Sequence, residues 1–158
     1  MQKITTFLWF NDQAEEAAKF YTSLFADSKI LSVGRDHVGV TGPKGKVLQV
    51  TFQLAGQRFM ALNGGPQFTF TEAVSLFVEC ETQEEVDRFW NRLTADGGQE
   101  GPCGWLKDRY GLSWQIIPRV LGEMMESKDT ESASRAMNAM LQMKKIDIAG
   151  LKRAYGQS

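Results

Sequence analysis

The sequence predicts an α+β fold made of two copies of one βαβββ module followed by a helical tail. Three observations carry this. The helical face Ala17, Phe20, Tyr21, Leu24 recurs as Val86, Phe89, Trp90, Leu93, each pair 69 residues apart. Both sets have the three- and four-residue spacing of one side of an amphipathic helix. Each set follows a strand-like run, Ile4 to Phe10 and Val74 to Cys80. After Pro118 the alternating patterns give way to methionine-rich stripes at helical spacing. A strand–helix unit repeated within one chain implies two similar halves, and the space between such halves is a natural place for a ligand cavity.

The elements follow in order. Lys3 to Phe10 reads as the first strand. Asp12 is the expected N-cap of the first helix, with Glu15 three residues on completing a capping box, and the helix runs to about Phe25 before Ala26-Asp27-Ser28 breaks it. Lys29 to Gly34 is a strand, and Arg35 to Lys46 a loop around Gly42-Pro43-Lys44-Gly45. Val47 to Leu54 and Gln57 to Asn63 form a hairpin joined at Ala55-Gly56, and Asn63-Gly64-Gly65-Pro66 ends the module.

The second copy starts with the strand Val74 to Cys80. Thr82 and Glu85 form a second capping box, and Asp96-Gly97-Gly98 stops the helix near Ala95. In the loop Gln99 to Gly104, Pro102 and its neighbouring glycines argue against a regular strand. Strands are expected at Trp105 to Lys107 and Leu112 to Ile117, with a turn at Asp108 to Gly111. In the tail, Val120, Leu121, Met124 and Met125 suggest a short helix. Ala133, Ala136, Met137, Met140 and Leu141 form a second apolar stripe, and Asp147 caps a last helix containing Ile148, Leu151 and Tyr155. This tail is expected to cover the sheet or join a partner subunit. Residues 1–118 then hold the paired modules (1–66 and 72–118) of one domain, and 119–158 extend the same domain.

A chain of 158 residues can bury a real core. Its net charge of −1 gives no electrostatic reason to expect nucleic acid or a membrane surface. No apolar run approaches the ~20 residues of a membrane span. The start, Met1-Gln2-Lys3-Ile4, lacks a signal-peptide layout. The two cysteines, Cys80 and Cys103, are too few for a disulfide scaffold and neither sits in a CxxC motif. Free thiols without an export signal point to a cytoplasmic protein.

Three stretches carry a resemblance. They are Ile4-Thr5-Thr6-Phe7-Leu8-Trp9-Phe10-Asn11-Asp12-Gln13-Ala14-Glu15-Glu16-Ala17 with Phe20-Tyr21, then Cys103-Gly104-Trp105 through Asp108-Arg109-Tyr110-Gly111 to Ser113-Trp114-Gln115-Ile116-Ile117-Pro118, and then Ala139-Met140-Leu141-Gln142-Met143-Lys144-Lys145-Ile146-Asp147. They resemble the PhnB-like branch of the vicinal-oxygen-chelate superfamily, the glyoxalase/bleomycin-resistance/dioxygenase fold. This branch is often labelled a 3-demethylubiquinone-9 3-methyltransferase domain. The resemblance implies a cupped, mostly antiparallel pseudo-barrel whose two halves enclose a cavity, and a homodimer. Many members of the superfamily hold a divalent metal there through His, Glu or Gln.

The ligand positions that the resemblance implies lie on the first and last strand of each module. Here they fall on Thr5 or Thr6, Ser75, Ala61 and Gln115, of which only Gln115 is a usual ligand. The one histidine, His37, stands beside Asp36 without a partner at ligand spacing. The expectation is therefore no metal and no cofactor, which disfavours glyoxalase and dioxygenase chemistry. A methyltransferase using S-adenosylmethionine needs a glycine-rich strand-to-helix turn, whereas Gly97, Gly98, Gly101 and Gly104 follow a helix and precede a strand.

Cys103, in the loop Gly101-Pro102-Cys103-Gly104, is the candidate nucleophile, with Lys107 and Arg109 nearby to lower its pKa but no identifiable general base. Alternation puts Thr5, Phe7 and Trp9 on one strand face, and Ser113, Gln115 and Ile117 on another with Trp114 opposite, under a helix. Phe7, Trp9, Asn63, Trp105 and Gln115 are the candidate ligand-binding residues, the first two either lining the cavity or filling the barrel. Three functional readings are open. The chain is a metal-free small-molecule-binding protein that stacks its ligand on Trp9 or Trp105, an enzyme using Cys103 or a polar pocket group, or a dimeric interaction protein with a vestigial cavity.

Overall fold

A computed structural model describes residues 1–156. The chain forms two compact units, Met1–Phe70 and the remainder from Thr71. In the first, β1 (Thr6–Phe10), α1 (Ala14–Thr22), β2 (Lys29–Arg35), β3 (Val47–Leu54) and β4 (Gln57–Asn63) build an open mixed sheet of order β1-β4-β3-β2. β1 runs parallel to β4 and the other pairs are antiparallel. Alternation sends Leu8, Phe10, Val50, Phe52, Phe59 and Ala61 to one face, where they are buried with Ala17, Ala18 and Tyr21 of α1. The hairpin turn at Ala55 and Gly56 has φ of 48° and 82°. Left-handed values at both central residues are the geometry that a two-residue β-hairpin requires.

The second unit repeats the plan with β5 (Ser75–Cys80), α2 (Gln83–Thr94), β6 (Gln99–Glu100), β7 (Trp105–Lys107) and β8 (Ser113–Pro118), in the order β5-β8-β7-β6. Cys80, Leu106, Trp114 and Ile116 are buried together with Val86, Phe89, Trp90 and Leu93, the predicted face of α2. The tail adds α3 (Arg119–Met125), α4 (Thr130–Met140) and α5 (Ile148–Gly156). Its core joins Ile117 of β8 to Leu121, Met124, Ala136, Ile146 and Leu151. The chain between α4 and α5 is tied to the Cys103–Gly104 loop, whose N–H groups donate to the carbonyls of Met143 and Lys144, each at 2.8 Å.

Several local expectations are corrected. β1 begins at Thr6, not Lys3. The first capping box does not form: the N-cap is Gln13 with no side-chain bond, and Asn63 Oδ1 instead accepts the Ala14 N–H at 2.8 Å. The parallel pairing of β1 with β4 brings the end of β4 to the start of α1, so a residue remote in sequence displaces the local cap. The second box does form, since Thr82 accepts from the Glu85 N–H at 3.2 Å. A short strand, β6, occupies Gln99–Glu100, and Pro102 lies just beyond it. On α4 the buried residues are Ser132 and Ala136, while Met137 and Leu141 are 46% and 54% exposed. With the helix in this orientation Ala136 enters the tail core and Arg135 donates to the Ala154 and Tyr155 carbonyls at the end of α5. Among the described residues no helix is long and apolar enough to cross a membrane.

Candidate functional site

In the second unit the sheet face opposite α2 carries two side-chain rows set by register. Phe77 pairs with Gln115 across β5 and β8, and Gln115 with Trp105 across β8 and β7. The next row is Ser75, Ser113, Lys107 and Gln99. Trp105 and Gln115 are thus cross-strand neighbours. Gln115 is held by a bond from its Nε2 to Ser75 Oγ at 3.0 Å, which fixes which amide atom remains as acceptor. Phe77 is 59% exposed. Trp114, opposite Gln115, is buried as expected and donates its indole N–H to Asp108 Oδ2 at 2.9 Å.

A cleft of about 520 Å³ lies along this face, lined by Trp105, Pro102, Lys107, Gln99, Glu72 and Ser113 among others. Lys107 pairs with Glu72, and its hydrogen bond holds the Glu72 carboxyl below its ordinary value. Glu100, also at the cleft, accepts from the Trp90 indole N–H at 2.9 Å. Ser113 is 1% exposed, and its Oγ has no hydrogen-bond partner.

In the first unit Phe7 and Trp9 share the face opposite α1, and Phe7 is 48% exposed. Trp9 is held by the residues that follow β4. Its indole N–H donates to the Gly65 carbonyl at 2.9 Å, and Phe68 meets it edge-on with centroids 5.0 Å apart. Gly64 packs against the ring so closely that a Cβ there would lie 2.3 Å from it. Asn63 spends its Oδ1 on Ala14 and its Nδ2 on the Val47 carbonyl, 3.0 Å away.

Cys103 adopts φ 59°, followed by Gly104 at 85°. A Cβ on Gly104 would meet Ile117 Cδ1 at 2.7 Å, so the Cys-Gly pair serves a tight turn that donates to the tail. The thiol is half-buried. The two cations beside it in sequence have other partners, Lys107 with Glu72 and Arg109 with Asp96. Cys80 is buried, which pushes its thiol up to about 12.

The metal positions need one correction. Ala61 is buried on the helix side of its sheet. Met60, which pairs with Phe7 as Gln115 pairs with Phe77, is its outward counterpart. The outward set is then Thr5, Met60, Ser75 and Gln115, whose hydroxyl, thioether and amide groups do not fit a divalent ion. Among the described residues no three His, Cys, Asp or Glu side chains converge. His37 is exposed. Its neighbour Asp36 is buried and accepts the N–H groups of Val38, Gly39 and Thr41. These bonds, led by Thr41, lower its pKa to about 2. Gly97, Gly98, Gly101 and Gly104 all lie between α2 and β7, and none opens a helix.

Sequence alternation already puts Ser113 on the face of Gln115 without naming it a candidate, and it misses Phe77 on the parallel partner strand; pairing β5 with β8 in register finds it.

Two units, each a strand, a helix and three strands with the first strand parallel to the last, define a protein of the glyoxalase/bleomycin-resistance fold in the vicinal-oxygen-chelate superfamily. The chain belongs to the PhnB-like family described as 3-demethylubiquinone-9 3-methyltransferase, whose model matches residues 2–117. It is 44% identical to the PhnB protein from Bacillus cereus, covering 74% of this chain and 99% of that one, with a TM-score of 0.66. A protein from Pseudomonas aeruginosa shares the fold at 18% identity, covering 75% and 98%, with a TM-score of 0.61. So does the fosfomycin resistance protein FosX from Listeria monocytogenes, at 16% identity, 75% and 93% coverage and a TM-score of 0.51. FosX is also known in complex with Mn(II) and sulfate. No curated protein matches the chain.

Proposed function

We propose that this protein binds a small, planar, largely uncharged molecule on the outward face of its second sheet, without a divalent metal. The row Phe77, Gln115, Trp105 carries this reading. It places one oriented amide between two aromatic side chains, the combination that holds and orders a flat ligand. The donor set Thr5, Met60, Ser75 and Gln115 supports the metal-free part. The activity in the family's name is not part of this reading, because the glycines that would grip S-adenosylmethionine occupy turns after α2. The protein acts as a cytoplasmic homodimer in this reading.

The test is a thermal-shift screen of a metabolite library on protein dialysed against EDTA. A ligand raises the melting temperature by an amount set by its concentration over Kd. A hit should alter tryptophan fluorescence in the native protein and not in Trp105→Phe. Gln115→Ala should weaken it about tenfold through loss of one oriented hydrogen bond. Affinity that vanishes with EDTA and returns with Mn(II) would overturn the reading.

A further inference from the structure

The cleft beside Trp105 contains a buried polar group with nothing to bind. Ser113 is 1% exposed and lines the cleft, yet its Oγ lacks a partner. Buried hydroxyls are almost always hydrogen-bonded, since an unmade bond costs the full desolvation of the group. The neighbouring polar groups do not satisfy it: Lys107 is paired with Glu72, the Gln115 amide nitrogen is paired with Ser75, and no acceptor lies within hydrogen-bond reach of the hydroxyl. We infer that Ser113 is the specificity residue of this cleft. It hydrogen-bonds the neutral polar head, a carbonyl, amide or hydroxyl, of a ring compound lying against Trp105. The inference rests on the proposed binding function and names the ligand class for it.

Charge argues for a neutral head. Lys107, the cation of the cleft, is already paired with Glu72, while the Glu100 carboxylate is turned to the Trp90 indole of α2. A carboxylate or phosphonate entering here would face the Glu72 carboxylate and would have to separate Lys107 from it to find a counter-charge. A neutral acceptor receives a hydrogen bond from the Ser113 hydroxyl without disturbing that pair. The wall beyond the hydroxyl is Trp105 and Pro102, which suits the flat apolar body of such a compound.

Three probes of one size separate the chemistries: benzamide, benzoate and benzylammonium, titrated by NMR against the Trp105 indole N–H. Benzamide should bind tightest, with benzoate at least tenfold weaker. Ser113→Ala should weaken benzamide about fivefold, the worth of one neutral hydrogen bond. The same substitution should leave the melting temperature of the free protein unchanged or higher, because it deletes an unpaired buried hydroxyl. Ser113→Cys, slightly larger and a weaker donor, should fall between the two. Benzoate or benzylammonium binding as tightly as benzamide overturns the neutral-head assignment. Benzamide affinity unchanged in Ser113→Ala overturns the role of Ser113, while continued dependence on Gln115 and Trp105 would leave the binding function standing. No binding by any probe also overturns the inference.

Discussion

The two sheets share one topology but treat their outward faces differently. In the first unit the groups are spent internally. Trp9 is bonded to Gly65 and boxed by Gly64 and Phe68, and both ends of the Asn63 amide serve the backbone. In the second unit Gln115 is oriented by Ser75 with its other amide atom left as acceptor, Phe77 is exposed, and Ser113 is unpartnered. The duplicated module thus yields one half whose polar groups mainly hold the fold and one half whose polar groups are available. The side chains at matching positions decide this, since the strand order is the same in both.

The largest effect should come from forcing the first face open. Gly64→Ala puts a methyl where the Trp9 ring now sits, with 2.3 Å between them. The indole must move and give up its bond to Gly65. Overpacking and a lost hydrogen bond together predict about 3 kcal/mol of destabilisation. Urea denaturation followed by tryptophan fluorescence measures it. A loss below about 1 kcal/mol would mean that the first face is as adaptable as the second, and the contrast would fail.

Next comes Asn63, which links β4 to the start of α1. Asn63→Ala removes the side chain that accepts from the Ala14 N–H and donates to the Val47 carbonyl, so about 2 kcal/mol should be lost. Asn63→Asp keeps the acceptor at the helix start and should recover part of that loss. If Asn63→Ala instead weakens ligand binding at unchanged stability, the first face is the working one.

Much of this was legible in the sequence. The module repeat, the Thr82 cap, the hairpin at Ala55-Gly56 and the placement of Trp114 opposite Gln115 all follow from short-range spacing. What escaped depends on pairing between distant segments. The Asn63 cap spans 49 residues, and Asp12 and Glu15 offered a local alternative that the strand geometry overrides. The outward residue of β4 is Met60 instead of Ala61 because the burial of Phe10 sets the parity of β1, and β4 follows β1 in register. The exposure of Met137 and Leu141 follows from the packing of Ala136 and Met140 with segments distant in sequence. In each case residue type limits the choices and tertiary pairing selects among them.

Acid offers a finer separation of the two units. The β2–β3 loop of the first is organised by the Asp36 carboxylate, which accepts N–H groups from Val38, Gly39 and Thr41. The corresponding β6–β7 loop of the second is organised by the Met143 and Lys144 carbonyls, which do not titrate. Asp36 has its pKa lowered from 3.8 to about 2 in the folded chain. The order it confers is therefore complete above pH 3.8 and is lost as pH falls through 2. Between pH 5 and pH 2 the amide resonances of Val38, Gly39 and Thr41 should shift and broaden while those of Cys103 and Gly104 stay put. Asp36→Asn should produce the same loosening at neutral pH, because a carboxamide accepts more weakly and brings donors of its own. Simultaneous loss of both loops on acidification would show that the two halves do not respond separately.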